Sequence, residues 1–261
     1  KSDCEVNTGT AETTSKGEMF MYGMYGYGYG YGLDPTIILV LIGVALSLWA
    51  QGRVNSTFSR YSRVRSMTGM TGAEAARRLL NAQGIYDVTV QQIAGELTDH
   101  YDPRTKTVNL SQSVYGATSV AAIGVAAHEC GHAMQDNEGY APLRFRSALV
   151  PVANFGSRLS WPLILLGLVF GGLGSPLVEI GILMFSLAVL FQLVTLPVEY
   201  NASARAVRLL DAQGILAGEE VNGTRKVLNA AALTYVAAAA TSILQLLRLI
   251  ILFGGRNRRD R

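Results

Sequence analysis

Val125-Ala126-Ala127-His128-Glu129-Cys130-Gly131-His132-Ala133-Met134-Gln135 decides how the rest of the chain is read. The preceding stretch 117–127 is uncharged and rich in Ala, Val and Gly, so the pattern predicts one continuous, well-packed helix. A helix brings residues i and i+4 to one face, which lets the imidazoles of His128 and His132 bind a single metal ion. Glu129, between them, is placed to take a proton from a metal-bound water. The competing reading is a chance His pair on a half-buried helix. Two of the chain's three histidines fall in these five positions, which favours the metal. Cys130 lies two residues from His128 and points away from the His face, so it is not expected to ligate. With Cys4 in a polar tail, no disulfide is expected.

Composition places this helix in a membrane protein. The chain has 261 residues, 49% of them hydrophobic and only 16% charged, against roughly 25% charged in soluble domains. A net charge of +3 is too small to suggest nucleic acid, and no nucleic-acid partner is expected. Spanning helices need about 20 apolar residues. Pro35–Gly52, Leu159–Val178 and Ile180–Val198 meet this description, the last two as a hairpin turning near Gly174-Ser175-Pro176. A fourth stretch, Val227–Leu247, is uncharged and Ala-rich. None of the four is read as a signal peptide.

The segments read, in order, as a low-complexity or disordered tail 1–32, a transmembrane helix 33–52, and a small α+β domain 53–146 carrying the His-pair helix. A transmembrane hairpin 147–198, a helical segment 199–226, and an apolar helix with a basic tail 227–261 follow. The expected fold class is a predominantly α-helical membrane protein of three to four hydrophobic helices with a small α+β domain. The Tyr-Gly run Tyr25–Gly32 fits either an interfacial anchor or plain low complexity. Within 53–146, Thr71-Gly72-Ala73-Glu74 fits a capping box and Gly84 a helix stop. Val88–Val90, Leu97–Tyr101 and Lys106–Leu110 read as three short strands, the last two joined by the turn residues Asp102-Pro103-Arg104-Thr105. Ala76–Ile85 and Ala206–Ile215 match at eight of ten positions. We read this as one shared way of ending a helix, a Leu-Leu pair followed by Gly, rather than as duplication.

A catalytic zinc site takes three protein ligands and keeps one position open. Two residues compete for the third place. His100 lies on or near a strand. Glu199 follows Pro197, which is placed to open a new helix with the glutamate in its first turn.

Three ordered motifs now stand out: 126–135 around the His pair, Tyr101-Asp102-Pro103-Arg104-Thr105-Lys106-Thr107-Val108, and Leu196-Pro197-Val198-Glu199-Tyr200-Asn201-Ala202-Ser203. With the tail 227–237 they resemble the YugP-like neutral zinc metallopeptidases of bacterial membranes, over roughly Leu33 to Phe253. More distantly the chain is similar to the HtpX and CaaX-prenyl-protease group, where a glutamate on a later helix completes the zinc site. The resemblance implies zinc held by His128, His132 and Glu199, with Glu129 as general base. A hairpin that leaves and re-enters the same membrane face would return Glu199 to the metal helix. The distant group usually has an aspartate four residues after its glutamate, where this chain has Ser203.

The reading is therefore a multi-pass, membrane-bound zinc metalloendopeptidase of the bacterial plasma membrane. It hydrolyses peptide bonds by Glu129-assisted attack of zinc-bound water, on a peptide or membrane-protein substrate. A zinc hydrolase of a non-peptide amide or lipid, and a scaffold with a retained metal, are the alternatives. His100, Tyr200 and Arg205 are the candidate oxyanion donors. A substrate strand can add to a sheet edge, expected at Thr107–Leu110. Arg and Lys flanking the spans place the site on the cytoplasmic side. Because Arg256, Arg258, Arg259 and Arg261 would then face outside, the last helix is expected to stop short of a full crossing. Oligomeric state is not legible.

Overall fold

In a computed structural model, residues 34–172 and 175–254 are described. The Tyr-Gly run, Cys4 and the basic tail lie outside them. The elements are α1 (Ile37–Tyr61), α2 (Gly72–Ala82), β1 (Thr89–Ile93), β2 (His100–Asp102), β3 (Thr107–Ser111), α3 (Gln112–Tyr115), α4 (Val120–Asn137), α5 (Ala141–Gly171), α6 (Pro176–Ala212) and α7 (Glu219–Phe253). The chain is mostly helical, with one small sheet, as its composition and motifs predict.

Four helices, α1, α5, α6 and α7, are long and apolar enough to cross a membrane. Their apolar side chains largely face outward. Along α1 only Gly43 and Ala50 are buried, while Leu41, Leu48 and Trp49 are exposed. Such a surface is stable only with a hydrocarbon solvent around it, so the environment is a lipid bilayer. The segment limits read at 146/147, 198/199 and 226/227 fall inside α5, α6 and α7. Charge content changes there, but nothing in those stretches stops a helix.

Two expectations about these helices are corrected. Pro197 does not open a new helix; it lies inside the 37-residue α6. A proline removes one i→i−4 bond, and tight packing against neighbouring helices carries α6 through it. The last helix does not stop short either. Arg248 Nε donates to Thr36 Oγ1 at 3.2 Å, Thr241 Oγ1 donates to the Gly43 carbonyl at 3.1 Å, and Gly223 packs on the Tyr61 ring. These contacts keep one antiparallel register, so α7 runs beside α1 over its whole length.

The non-membrane part is built around α4. Ser119 caps its N-terminus by accepting from Ala122 N–H at 3.2 Å. Fourteen of the residues that follow, from Val120 to Gln135, are buried, packed on α2, α6 and α7. The Thr71–Glu74 capping box forms as expected. Both copies of the repeated segment end alike. Gly84 and Gly214 adopt φ values of 69° and 61°, and Ile85 N and Ile215 N bond back to Leu80 O and Leu210 O, each at 3.0 Å.

The sheet order is β1-β3-β2, with β1–β3 parallel and β2–β3 antiparallel. This corrects the expected substrate edge. Thr107–Leu110 belongs to β3, the central strand, every residue of which is buried. Leu97 lies before β2 in a left-handed bend, φ 53°, rather than in a strand. The free edge facing α4 is β2. Tyr101 Oη donates to Asp136 at 2.8 Å and Lys106 Nζ to the same carboxylate oxygen at 3.0 Å, tying the β2–β3 hairpin to α4. Burial, then the bond to Asp136, holds the Tyr101 hydroxyl far above its ordinary pKa.

Candidate metal centre

His128 and His132 stand one turn apart on α4, with ring centroids 4.8 Å apart and nearly perpendicular planes. Both rings turn Nε2 towards Glu199 of α6. The distances to Glu199 Oε2 are 3.2 Å from His128 and 3.5 Å from His132. All the candidate ligand atoms of this trio lie within 4.8 Å of one another, and the trio could hold a metal ion. Glu199 is only 2% exposed. A carboxylate so far from water requires cationic or hydrogen-bonding partners. Its Oε1 faces Arg146 Nη1 at 3.3 Å.

The Nδ1 atoms are occupied elsewhere, which aims Nε2 inward. Gln135 Nε2 donates to Val198 O and to Asn201 Oδ1, both at 2.9 Å. The amide oxygen of Gln135 is therefore the atom facing His132 Nδ1, at 3.0 Å. An oxygen can only accept, so Nδ1 carries a hydrogen, and Nε2 is the nitrogen left to offer a lone pair to a metal or, without one, to hold a proton towards Glu199. His128 Nδ1 lies 3.1 Å from Ser203 Oγ. Ser203 thus supports the ring without adding charge. Burial disfavours charge on His132, but hydrogen bonding to Glu199 and the field of Glu129 and Glu199 outweigh it and raise its pKa. The pocket favours a cation.

Glu129 is 7% exposed and lines the cleft that crosses the site. One lobe, about 280 Å³, is walled by Val54 and Phe58 of α1, Leu97, and Leu228, Ala231 and Tyr235 of α7. The other, about 500 Å³, is walled by His100, Arg104, Arg146, Asn154 and, again, Tyr235. The second is the more polar of the two. His128, Glu129 and Glu199 line both. Two nitrogens and one oxygen, with an open side, fit a zinc ion at a catalytic rather than a closed structural site.

Of the other sequence candidates, His100 reaches the cleft but not the trio. Its Nδ1 lies 2.9 Å from Thr98 O and its Nε2 3.2 Å from Asn109 Nδ2. Tyr200 faces away, lining a different cavity. Arg205 is held by Asn201 and Glu138, at 2.7 Å and 2.6 Å. Cys130 is a free thiol in the core against Ala76 O, and burial pushes its pKa far up. The sequence reading missed Gln135, Arg146 and Tyr235 at the site. Gln135 alone carried a local signal, one turn beyond His132 on the same face; the other two are brought in by helices remote in sequence.

A family model described as "Putative neutral zinc metallopeptidase" matches residues 36–254. The protein named "Putative membrane protease YugP" from Bacillus subtilis (strain 168) is 49% identical over 217 residues, covering 83% of this chain and 96% of the relative. No solved structure matches the chain. With the two histidines on α4 meeting a glutamate on α6, a helix apolar enough to cross a membrane, and a family match over nearly the whole described length, the chain belongs to this family of neutral zinc metallopeptidases.

Proposed function

We propose that the protein is a zinc-dependent membrane endopeptidase in which His128, His132 and Glu199 hold the ion and Glu129 is the general base. The observation that carries this reading is the convergence of both Nε2 atoms on one buried carboxylate oxygen beside a cleft lined by Glu129. Zinc at such a site supplies a Lewis acid that acidifies water and polarises a carbonyl. Glu129 takes one proton from the attacking water and delivers it to the departing amide nitrogen, so that the C–N bond breaks to a carboxylic acid and a neutral amine; the acid's remaining proton then passes to the amine, which leaves as ammonium beside the carboxylate. Tyr235, on the wall shared by both lobes, is the donor for the developing oxyanion. Gln135 and Ser203 keep the imidazoles oriented. The polypeptide crosses both lobes, apolar side chains against α1 and α7, its backbone along the β2 edge.

The site faces the cytoplasm of a bacterial cell in this reading, with 53–146 as the metallopeptidase domain. Arg53, Arg60, Arg63, Arg65, Arg144, Arg146, Arg205, Arg208, Arg225 and Lys226 lie on the site side of the spans. Among described residues, Arg248 lies near the other end, level with Thr36. Among the described residues that asymmetry supports the orientation, and the four arginines that follow α7 in sequence weigh against it.

The test is Glu129→Gln in purified protein, assayed on an unfolded protein and, separately, on lipid amides. Zinc content stays at about one per chain while proteolysis falls at least ~10²-fold. Tyr235→Phe costs ~10²-fold in kcat with KM little changed. Cleavage by Glu129→Gln at the wild-type rate overturns the mechanism. Turnover of the lipid amides alone overturns the substrate class.

A further inference from the structure

The α1–α7 pair has a second cavity, of about 610 Å³, on the face opposite the metal cleft. Arg53, Ser56, Thr57 and Arg60 of α1 line it at i, i+3, i+4 and i+7, one face of a helix. On α7, Lys226, Asn229, Ala230 and Leu233 repeat the same spacing. The residues of α1 that line the metal cleft instead, Gln51, Val54 and Phe58, point the other way. Because the helices are antiparallel, Arg60 comes opposite Lys226, and Arg53 opposite Leu233.

Three cations line this cavity and no acid does. Among the described residues none of the three forms an ion pair. Arg60 merely lies over the Tyr61 ring, 5.7 Å from its centroid. Like charges gathered in a concave site repel unless an anion joins them. The Thr57 hydroxyl and the Asn229 amide add donors that suit phosphate oxygens, while the Ser56 hydroxyl donates to Arg53 O at 3.2 Å.

Its depth in the bilayer is fixed by the sequence. Arg53 is the first charge after the uncharged stretch of α1, and Lys226 the last before the uncharged stretch 227–247 of α7. The cavity therefore opens where both helices leave the hydrocarbon, at headgroup level, with Leu233 and Ala230 towards the lipid. Basic pockets between helices at this level suit anionic headgroups.

We propose that this cavity binds the phosphate-bearing headgroup of an anionic phospholipid, its acyl chains leaving past Leu233 along α7. This goes beyond the peptidase reading and does not depend on it.

The experiment is native mass spectrometry of the full chain in detergent with equal amounts of dioleoyl phosphatidylglycerol and dioleoyl phosphatidylcholine. Wild type retains the anionic lipid preferentially. Removing one charge costs about fivefold, so the variant R53Q/R60Q/K226Q lowers the preference at least ~10-fold. R53K/R60K restores it relative to the glutamine variant. A control with equal charge removed outside the cavity, R63Q/R65Q/R225Q, stays within ~2-fold of wild type. Equal loss in both sets, or no preference in wild type, overturns the proposal. So does saturation of the cavity by inorganic phosphate without retention of lipid, which would make the ligand a soluble anion. If the triple variant fails to fold, the single change Lys226→Gln at an exposed position carries the test, with about a fivefold loss expected.

Discussion

Gln135 and His132 are three residues apart on α4, and Gln135 Oε1 faces His132 Nδ1 at 3.0 Å while its Nε2 holds Val198 O of α6 at 2.9 Å. One amide therefore fixes the ring of one candidate ligand and the helix that carries another. Gln135→Ala releases both. The expected outcome is a folded protein whose zinc affinity falls ~10–100-fold, read by competition with a chelator. Unchanged affinity would mean that packing alone orients the ring.

Two rivals for the third ligand are separated by zinc content. Glu199→Ala loses zinc or binds it orders of magnitude more weakly, whereas His100→Ala retains about one ion per chain. His100 is hydrogen-bonded on the β2 edge, so its removal leaves the trio intact. Zinc lost from His100→Ala and kept by Glu199→Ala would reverse the assignment.

What was legible in the sequence follows from the range of each signal. The His pair is a local pattern on one helix, and His128, Glu129 and His132 need only the i, i+4 geometry. The apolar stretches are local too, and they gave four helices. Glu199 was reachable because a hairpin brings the chain back to the same face. The continuity of α6 through Pro197 was not legible, because proline's preference for a helix start is a local rule that neighbouring helices override here. Nor was the register of α1 on α7, which rests on Thr241 meeting Gly43 across two hundred residues of chain. The same holds for Arg146 and Tyr235. Nothing near them in sequence marks them as facing a metal, and only the packing of α5 and α7 does so.

Orientation is checked by labelling intact cells with a membrane-impermeant thiol reagent, in a Cys4→Ser background. Leu177→Cys sits beside the α5–α6 turn and is 37% exposed; Gln112→Cys lies on the exposed side of α3, in the domain that carries the site. The Leu177 reporter is labelled from outside and the Gln112 reporter only after permeabilisation. The reverse pattern places the site outside the cytoplasm.

The glycine inside the motif supplies the last test. A Cβ on Gly131 would lie 2.6 Å from the backbone oxygen of Ala202 and 3.1 Å from its Cα. Neither is the tip of a side chain that can swing aside, so an alanine there must push α6 away from α4. Glu199 precedes Ala202 by three residues, nearly one turn of the same helix, and it moves with that backbone. Gly131→Ala therefore acts twice. Overpacking destabilises the fold by ~1–3 kcal/mol, and displacement of the Glu199 carboxylate from the two Nε2 atoms weakens zinc binding at least ~10-fold. Gly124→Ala is the matched control. Its Cβ would meet the Thr224 side chain at 2.9 Å, so the overpacking falls on a buried side chain of α7 rather than on the backbone of α6, and Thr224 holds no part of the site. Thermal melts and chelator competition on both variants read the two effects separately. If Gly131→Ala and Gly124→Ala bind zinc equally well, close approach of α6 to α4 is not what positions Glu199.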